Sequence, residues 1–504
     1  MKKSLLLLVM LLCSIGQGVA QTLIDGIYYD LLYSEGGTAL VAHVPSGVPK
    51  YSGNISIPSM VTYEGIPFSV TSIKAMAFSG CLGLTSIEIP NSVTAIGDLA
   101  FSDCTGLTSI EIPNSVTYIG FAAFDCCTGL TSIEIPNSVA SIRESTFYGC
   151  TGLTSVSIGN SVTNIGDGAF SGCTGLTSIK IPNSVTSIDG SAFGRCSGLT
   201  SIVVEAGNTY YDSRNTCNAI IETSTSTLIS GCMNTVIPNS VTSIGKSAFS
   251  GCTGLTSIEI PNSVASIGGG AFSGCTGLTS VSIGNYVTSI GDGAFSGCTG
   301  LTSIKIPNSV TSIGYRVFGG CSGLTSIVVE AGNTYYDSRS TCNAIIETST
   351  GALIAGCMNT VIPNSVTSIG DGAFSSCKGL TSITIPNSVA SIGYFAFGYC
   401  SGLTDIKMMS ATPPTTGGNL FADCTNLTTI YVPKGAKEAY NVEPWNSYEI
   451  VEMDDTGIAA APTADNQTVA APVYDLNGRC VGTTNAISTL PKGVYIVNGK
   501  KILR

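Results

Sequence analysis

Cysteine is the side chain with the most potential chemistry here, because the chain contains 20 cysteines and a single histidine. Most of them recur every 23 residues, as Cys81, Cys104 and Cys127 do. Equivalent residues on adjacent turns of a coil lie about 4.8 Å apart, beyond the Cβ separation of about 3.8 Å that a disulfide prefers. Metal binding lacks histidine partners and C-x₂-C spacing. We therefore expect buried thiols, with no metal and no cofactor.

Two cysteine pairs depart from this period. Cys217 and Cys232 are equidistant from a predicted hairpin turn at 223–226, and Cys342 with Cys357 repeats the arrangement. Direct cross-strand pairing would bring the two members of each pair together. The sequence therefore leaves two alternatives open for each pair, a disulfide or two free thiols.

Carboxylates and aromatic residues supply the other candidate positions. Glu88, Glu111 and Glu134 share one outward position, which predicts a column of carboxylates about 5 Å apart. Such a column could attract Ca²⁺ or a basic partner, but parallel carboxylates do not converge on a cation, so a solvated stripe is favoured. Aromatic residues at positions that are elsewhere small or polar, or before a hairpin, complete the candidate binding surface: Tyr118, Phe121, Tyr210, Tyr211, Tyr286, Tyr315, Tyr335, Tyr336 and Tyr394.

Catalysis and nucleic-acid binding have little support in the sequence. His43 is the only histidine, the acidic residues are scattered over repeat positions, and neither a G-x-S-x-G elbow nor a P-loop occurs. The net charge of −11, with only 21 Lys and Arg, argues against a nucleic-acid partner. We therefore expect a protein that is not an enzyme and does not bind nucleic acid.

The elements that position these residues come from one repeat, which begins at Leu84-Thr-Ser-Ile-Glu-Ile-Pro90. Leu84, Ile87 and Ile89 have the L-x-x-L-x-L spacing of a leucine-rich repeat, and the proline and asparagine that follow turn the chain. One coil has no interior, so its apolar side chains must stack on those of its neighbours. The sequence predicts a β-rich solenoid, a right-handed leucine-rich-repeat coil of about 23 residues per turn.

Departures from the repeat divide the chain. A basic start, an apolar run and a small-residue site ending at Ala20 predict a cleaved signal peptide, and hence a secreted or cell-surface protein. A 125-residue unit is duplicated, so that Thr154–Ile188 matches Thr279–Ile313. The predicted segments are a signal peptide at 1–20, an N-terminal β cap at 21–66, a solenoid at 67–435 with hairpin inserts at 203–236 and 328–361, a C-terminal cap at 436–452, a linker at 453–471 and a small β module at 472–504.

The unit G-C-T-G-L-T-S-I-x-I-P-N-S-V-T-S-I-G-x-x-A-F resembles the leucine-rich repeat of BspA-like bacterial surface proteins, over roughly residues 67–435. The inserts, with two tyrosines before each hairpin, are also similar to that family. The tail V-Y-D-L-N-G-R…L-P-K-G-V-Y-I-V-N-G-K-K-I-L-R resembles the type A sorting domain of the type IX secretion system of Bacteroidota.

These resemblances imply an extracellular or surface-attached protein, with attachment through the tail. Its expected role is adhesion to, or recognition of, a protein or glycan ligand on host or bacterial surfaces. The alternative is a structural protein whose solenoids associate with one another in a surface layer. The oligomeric state stays open.

Overall fold

The computed structural model describes residues 21–33 and 37–453, together with the tail strands Pro472–Tyr474, Cys480–Thr483, Val494–Val497 and Lys500–Leu503. The chain forms two compact units, which divide between Asp337 and Ser338. The predicted signal peptide and nearly all of the predicted linker lie outside the described residues. Within the described ranges, no helix has the length and apolar character that a bilayer crossing requires.

The first unit begins with a small β cap. Its strands are Thr22–Ile24, Ile27–Leu32, Thr38–Val41, Met60–Tyr63 and Ile66–Ile73. The second strand pairs antiparallel with the first and the third, and the last pairs in parallel with the third. Ser72 and Ile73 then pair in parallel with Ala95 and Ile96 of the first full repeat. The cap therefore supplies the hydrogen-bonding edge on which the repeats are stacked.

Each repeat contributes a long strand and a short strand, joined by turns. Ser132 of one coil pairs in parallel with Ser155 of the next, so the register between coils is 23 residues. Ile133 and Ile135 are buried and Glu134 is exposed, as an alternating half-buried strand requires. The predicted β-rich solenoid, with about 23 residues per turn, is confirmed.

The strands of the repeats are short because a proline or glycine follows most of them within one or two residues. The long strands of the first unit are Gly53–Ser56, Leu84–Glu88, Ser109–Ile110, Ser132–Ile135, Ser155–Ile158, Ser178–Ile181, Ser201–Val204, Ser257–Ile260, Ser280–Ile283, Ser303–Ile306 and Ser326–Val329. Its short strands are Ala95–Ile96, Tyr118–Ile119, Ser141–Ile142, Asn164–Ile165, Ser187–Ile188, Ser243–Ile244, Ser266–Ile267, Ser289–Ile290 and Ser312–Ile313.

The second unit repeats this pattern and ends in a cap. Its long strands are Ser382–Ile385, Asp405–Met408 and Thr429–Val432, and its short strands are Ser368–Ile369, Ser391–Ile392 and Thr415–Thr416. Glu449–Glu452 pairs in parallel with Thr429–Val432, and the 3₁₀ turn Trp445–Ser447 precedes it. The tail strands form one antiparallel sheet, in which Pro472–Tyr474 lies between Cys480–Thr483 and Val494–Val497.

Stacked phenylalanines form the centre of the core. In the first unit, neighbouring rings from Phe78 to Phe193 are stacked with centroids 5.2–5.6 Å apart. The ring of Tyr51 closes this ladder at 4.9 Å from Phe78. In the second unit, Trp445 packs edge-on against Phe421 at 5.6 Å. Aromatic side chains from each cap therefore cover a ring that has no further repeat to stack on.

A hairpin insert interrupts the ladder. In the first unit, the insert contains the strands Tyr211–Asp212, Ala219–Glu222 and Thr227–Gly231 and the 3₁₀ turn Arg214–Thr216. In the copy that follows, Tyr336–Asp337 ends the first unit, and the second unit begins with Arg339–Thr341, Ala344–Glu347 and Ala352–Gly356. Leu228 pairs in parallel with Ile244, so the second arm of the hairpin returns the chain to the repeat register.

Candidate functional site

The cysteines of the repeat are structural. Cys104, Cys127 and Cys150 are buried, and each Sγ–H donates at 3.1 Å to the carbonyl oxygen of the phenylalanine 26 residues earlier. Burial raises the pKa of the Cys104 and Cys150 thiols to about 12. These thiols therefore stay protonated near neutral pH, and thiols are weak nucleophiles and poor metal ligands.

The insert cysteines are thiols, which is the second of the two alternatives. Cys217, Cys232, Cys342 and Cys357 all carry thiols. A bulge between Ile220 and Ile221 shifts the hairpin register by one residue, so that Ala219 pairs with Gly231. Cys232 therefore lies beside Asn218, and its Sγ–H donates to the Asn218 carbonyl oxygen at 3.4 Å.

The second insert has the same register shift. Ala344 pairs with Gly356, and the shift falls between Ile345 and Ile346. Cys357 donates its S–H to the carbonyl oxygen of Asn343 at 3.4 Å. The prediction that the two cysteines of each insert face each other directly was wrong in both copies. Equal distances from the turn place two residues opposite each other only when no bulge lies between them and the turn.

Two of the three glutamates, Glu88 and Glu134, lie in long strands, and Glu111 directly follows the strand Ser109–Ile110. Glu88, Glu111 and Glu134 are exposed, and Ser56 donates a hydrogen bond to Glu88 at 2.7 Å. In the part of the chain that the structure describes, no group of three or more His, Cys, Asp and Glu side chains could hold a metal ion. His43 is exposed as well, and its Nδ1 lies 3.0 Å from Nε2 of Gln21.

Seven of the candidate aromatic residues are exposed, at 38–69% of their full surface: Tyr118, Phe121, Tyr210, Tyr286, Tyr315, Tyr335 and Tyr394. Phe121, Tyr315 and Tyr394 each have an aspartate one coil earlier. The carboxylate of that aspartate accepts the backbone N–H of the aromatic residue at 2.7–2.8 Å. Their backbone is therefore fixed although their rings face solvent.

Tyr211 and Tyr336 do not belong to the exposed set. Only 5% of Tyr211 and 7% of Tyr336 is accessible. The Tyr211 hydroxyl accepts the backbone N–H of Ile188 at 3.0 Å, and the Tyr336 hydroxyl accepts that of Ile313 at 3.2 Å. Each lies 23 residues after an inward isoleucine. The repeat period could therefore have predicted that Tyr210 faces outward and Tyr211 inward.

Sequence reasoning missed a polar notch on the outer surface of the solenoid. It is a cavity of about 460 Å³, and its polar lining residues are Asn114, Glu134, Asn137, Ser157, Asn160, Lys180 and Glu205. Gly159 occupies the repeat position that is Pro136 in the preceding coil and Pro182 in the following coil. Most other coils also have a proline at this position. A Cβ at Gly159 would lie only 2.8 Å from the Ile135 carbonyl oxygen, so the chain approaches its neighbour closely here.

Hydrogen bonds fix the polar groups of this first notch. The Asn160 N–H donates to Oδ1 of Asn137 at 2.7 Å. Glu205 lies 2.5 Å from the ammonium of Lys180 and accepts the Asn183 N–H at 3.2 Å. The hydrogen bond from Lys180 lowers the pKa of the Glu205 carboxyl below its usual value, so this carboxylate stays ionised near neutral pH.

The 125-residue duplication reproduces these contacts in the same unit, forming what we call the second notch. The Asn285 N–H donates to Asn262 at 2.7 Å, and Glu330 lies 2.5 Å from Lys305 and accepts the Asn308 N–H at 3.2 Å. Gly284 occupies the position of Gly159 and makes a similarly close approach, since a Cβ there would lie 2.7 Å from the Pro261 carbonyl oxygen. The signal that could have revealed both notches is I-G-N in place of I-P-N.

The repeat region matches a family model described as the BspA type leucine rich repeat region, over residues 59–144, 122–230, 229–345 and 355–443. These matches cover more than half of the chain. The chain belongs to the BspA-type leucine-rich-repeat family. No curated protein sequence matches it. The family's fold is typically a non-catalytic scaffold for interactions with other proteins.

Several solved bacterial structures are similar to this BspA-type chain. A leucine rich cell surface protein from Faecalibacterium prausnitzii is 26% identical, with a TM-score of 0.48 over 78% of this chain and 95% of that one. A leucine-rich repeat protein from Bacteroides ovatus is 28% identical, with a TM-score of 0.42 over 86% and 100%. The pneumococcal vaccine antigen PcpA is 18% identical, with a TM-score of 0.51 over 87% and 100%, and this likeness shows a shared fold.

Proposed function

We propose that this protein is exported to the cell surface, where it recognises or adheres to host or bacterial macromolecules without catalysis. The observation that carries the proposal is the set of exposed aromatic rings on a rigid solenoid. Phe121, Tyr315 and Tyr394 combine an exposed ring with a backbone that an aspartate fixes. Aromatic side chains held in this way contribute strongly to binding because little conformational freedom is lost on contact.

Family membership and the N-terminal sequence support the same proposal. The BspA-type repeats cover most of the chain, and a signal-peptide pattern precedes them. We also propose that the tail serves as a sorting domain of the type IX secretion system, since it combines the quoted motifs with a four-stranded antiparallel sheet. Cell fractionation with and without residues 472–504 tests this, because loss of the tail should release the protein or retain it inside the cell.

A binding assay with a matched control tests the recognition role. Fluorescent beads coated with the full chain should bind to host epithelial or bacterial cells. A variant with Phe121, Tyr315 and Tyr394 changed to serine should bind at least tenfold less. The control variant changes Leu23 and Met60 of the cap, which are also exposed and apolar, to serine and should bind normally. Equal binding by both variants, or no binding to any surface, contradicts the proposal.

Size-exclusion chromatography separates this proposal from the structural alternative. A recognition protein should elute as one species whose size does not depend on concentration. A protein that builds a surface layer should instead shift to larger species as its concentration rises. Growth of the assemblies with concentration, without binding to any cell, would favour the alternative.

A further inference from the structure

We propose that the second notch binds a neutral glycan, and that Tyr286 forms an aromatic platform at its rim. This inference rests on the recognition function proposed above and names the ligand class for one site. The second notch is defined by Glu259, Asn262, Ser282, Asn285, Lys305 and Glu330. Tyr286 follows Asn285 directly and is the most exposed of the candidate aromatic residues, at 69%.

The polar groups of the second notch match the chemistry of vicinal hydroxyls. Oδ1 of Asn262 already accepts the Asn285 N–H, which leaves the Asn262 NH₂ group as a donor. The exposed carboxylate of Glu259 is an acceptor, and the hydroxyl of Ser282 is both donor and acceptor. A sugar hydroxyl donates and accepts at the same time, so adjacent hydroxyls can use both kinds of group.

The charges of the second notch select against anionic ligands. Glu330 neutralises Lys305, at a distance of 2.5 Å, and also accepts the Asn308 N–H. Glu259 then leaves the notch with an excess negative charge. A sialylated or sulfated sugar would therefore be repelled, whereas a neutral sugar would not.

The exposed ring supplies the apolar part of the site. A pyranose has one face of C–H groups beside its polar edges, and a tyrosine ring offers a flat apolar surface of similar size. The volume of about 460 Å³ in the equivalent first notch lies within the range of small-ligand sites. A ring beside a notch of this size therefore suits one or two sugar units.

The duplication provides an internal comparison. Residues 154–188 and 279–313 differ at two positions, where Ser161 and Asn164 correspond to Tyr286 and Ser289. The first notch therefore has the same polar groups without the aromatic platform. If stacking on the Tyr286 ring is needed for binding, the first notch should bind neutral glycans weakly, and Ser161→Tyr should give it a binding site like the second.

The experiment titrates the full chain with neutral oligosaccharides that end in glucose, galactose or N-acetylglucosamine, and with sialylated counterparts, by calorimetry. We expect one neutral series to bind at one site per chain and the sialylated series to bind at least tenfold more weakly. Tyr286→Ser should lower the affinity at least tenfold with an unchanged melting temperature, because the ring is exposed. Ser161→Tyr should raise the stoichiometry from one site to two.

Three results would overturn the assignment: no neutral glycan binds, Tyr286→Ser binds normally, or Ser161→Tyr leaves the stoichiometry at one. The bead assay distinguishes this failure from that of the recognition function. If beads bind to cells equally before and after glycosidase treatment and no glycan binds in solution, recognition stands and the ligand is a protein. If beads bind to no cell, the recognition function fails, while calorimetry still decides the glycan site.

Discussion

Gly231 replaces a phenylalanine of the ladder, and its substitution by alanine tests how the insert joins the repeats. Its N–H donates to Ala248 O at 2.8 Å, and its carbonyl oxygen accepts the thiol of Cys252 at 3.7 Å. These are the contacts that a ladder phenylalanine makes in other coils. The ring of Phe249 covers the position, so an added Cβ would lie 2.2–2.8 Å from three ring carbons.

The expected cost follows from that contact. Phe249 is fully buried and stacked on Phe272 at a centroid distance of 5.0 Å, so its ring cannot move aside without disturbing the ladder. Overpacking of this kind costs about 1–3 kcal/mol, and three short contacts place Gly231→Ala near the upper end. Alanine reduces the entropy of the unfolded chain, which returns about 0.4–1 kcal/mol. We therefore expect a net loss of about 2 kcal/mol.

Hydrogen exchange measured by mass spectrometry is the appropriate assay, because repeat arrays can unfold locally. Exchange in peptides that span residues 225–255 of the full chain should accelerate about thirtyfold in Gly231→Ala, since 2 kcal/mol corresponds to that factor. Gly269→Ala is the matched control, because its nearest contact is 3.4 Å away. Adding Phe249→Leu should restore part of the protection. Unchanged exchange in Gly231→Ala would refute the proposed role of this glycine.

Three further predictions concern single side chains. Tyr211→Phe removes the acceptor for the buried N–H of Ile188 and should lower the free energy of unfolding in urea by about 1–3 kcal/mol. The control Tyr210→Phe should change it by less than about 0.5 kcal/mol. Above pH 9 the unfolded chain loses thiol protons that the folded chain keeps. The free energy of unfolding should therefore fall by about 1.4 kcal/mol per pH unit for each such thiol. Cys104→Ala should make this fall with pH less steep. Cys126 has a φ of 55°, so Cys126→Gly should stabilise the fold by about 1 kcal/mol, and a lower melting temperature would contradict this.

The interior of this fold was predictable from the sequence because one period determines it. Once the coils have a period of 23 residues, inward side chains of the same type must stack. The phenylalanine ladder and the alternating burial of Ile133 and Glu134 follow directly. The role of the cysteines was predicted only in part, since composition shows that the thiols fill space but does not show that they donate to carbonyl oxygens.

The inserts were less predictable because local geometry interrupts the period there. The strands Ala219–Glu222 and Thr227–Gly231 follow from alternation, but the bulge that separates Cys217 from Cys232 has no signal in the sequence. For Tyr211 the signal is present in the sequence. Counting the period across the start of the insert would have placed its ring inside the solenoid.

The notches show why exposed residues can vary in this fold without loss of stability. The two copies of the duplicated segment keep every buried side chain, and one of their two differences places a tyrosine where the other copy has an exposed serine. An inward substitution disturbs the coil above and the coil below, because both pack against it. An outward substitution beside a notch disturbs neither. The outer surface can therefore change one coil at a time, and the notch at Gly284 has an aromatic neighbour that the notch at Gly159 lacks.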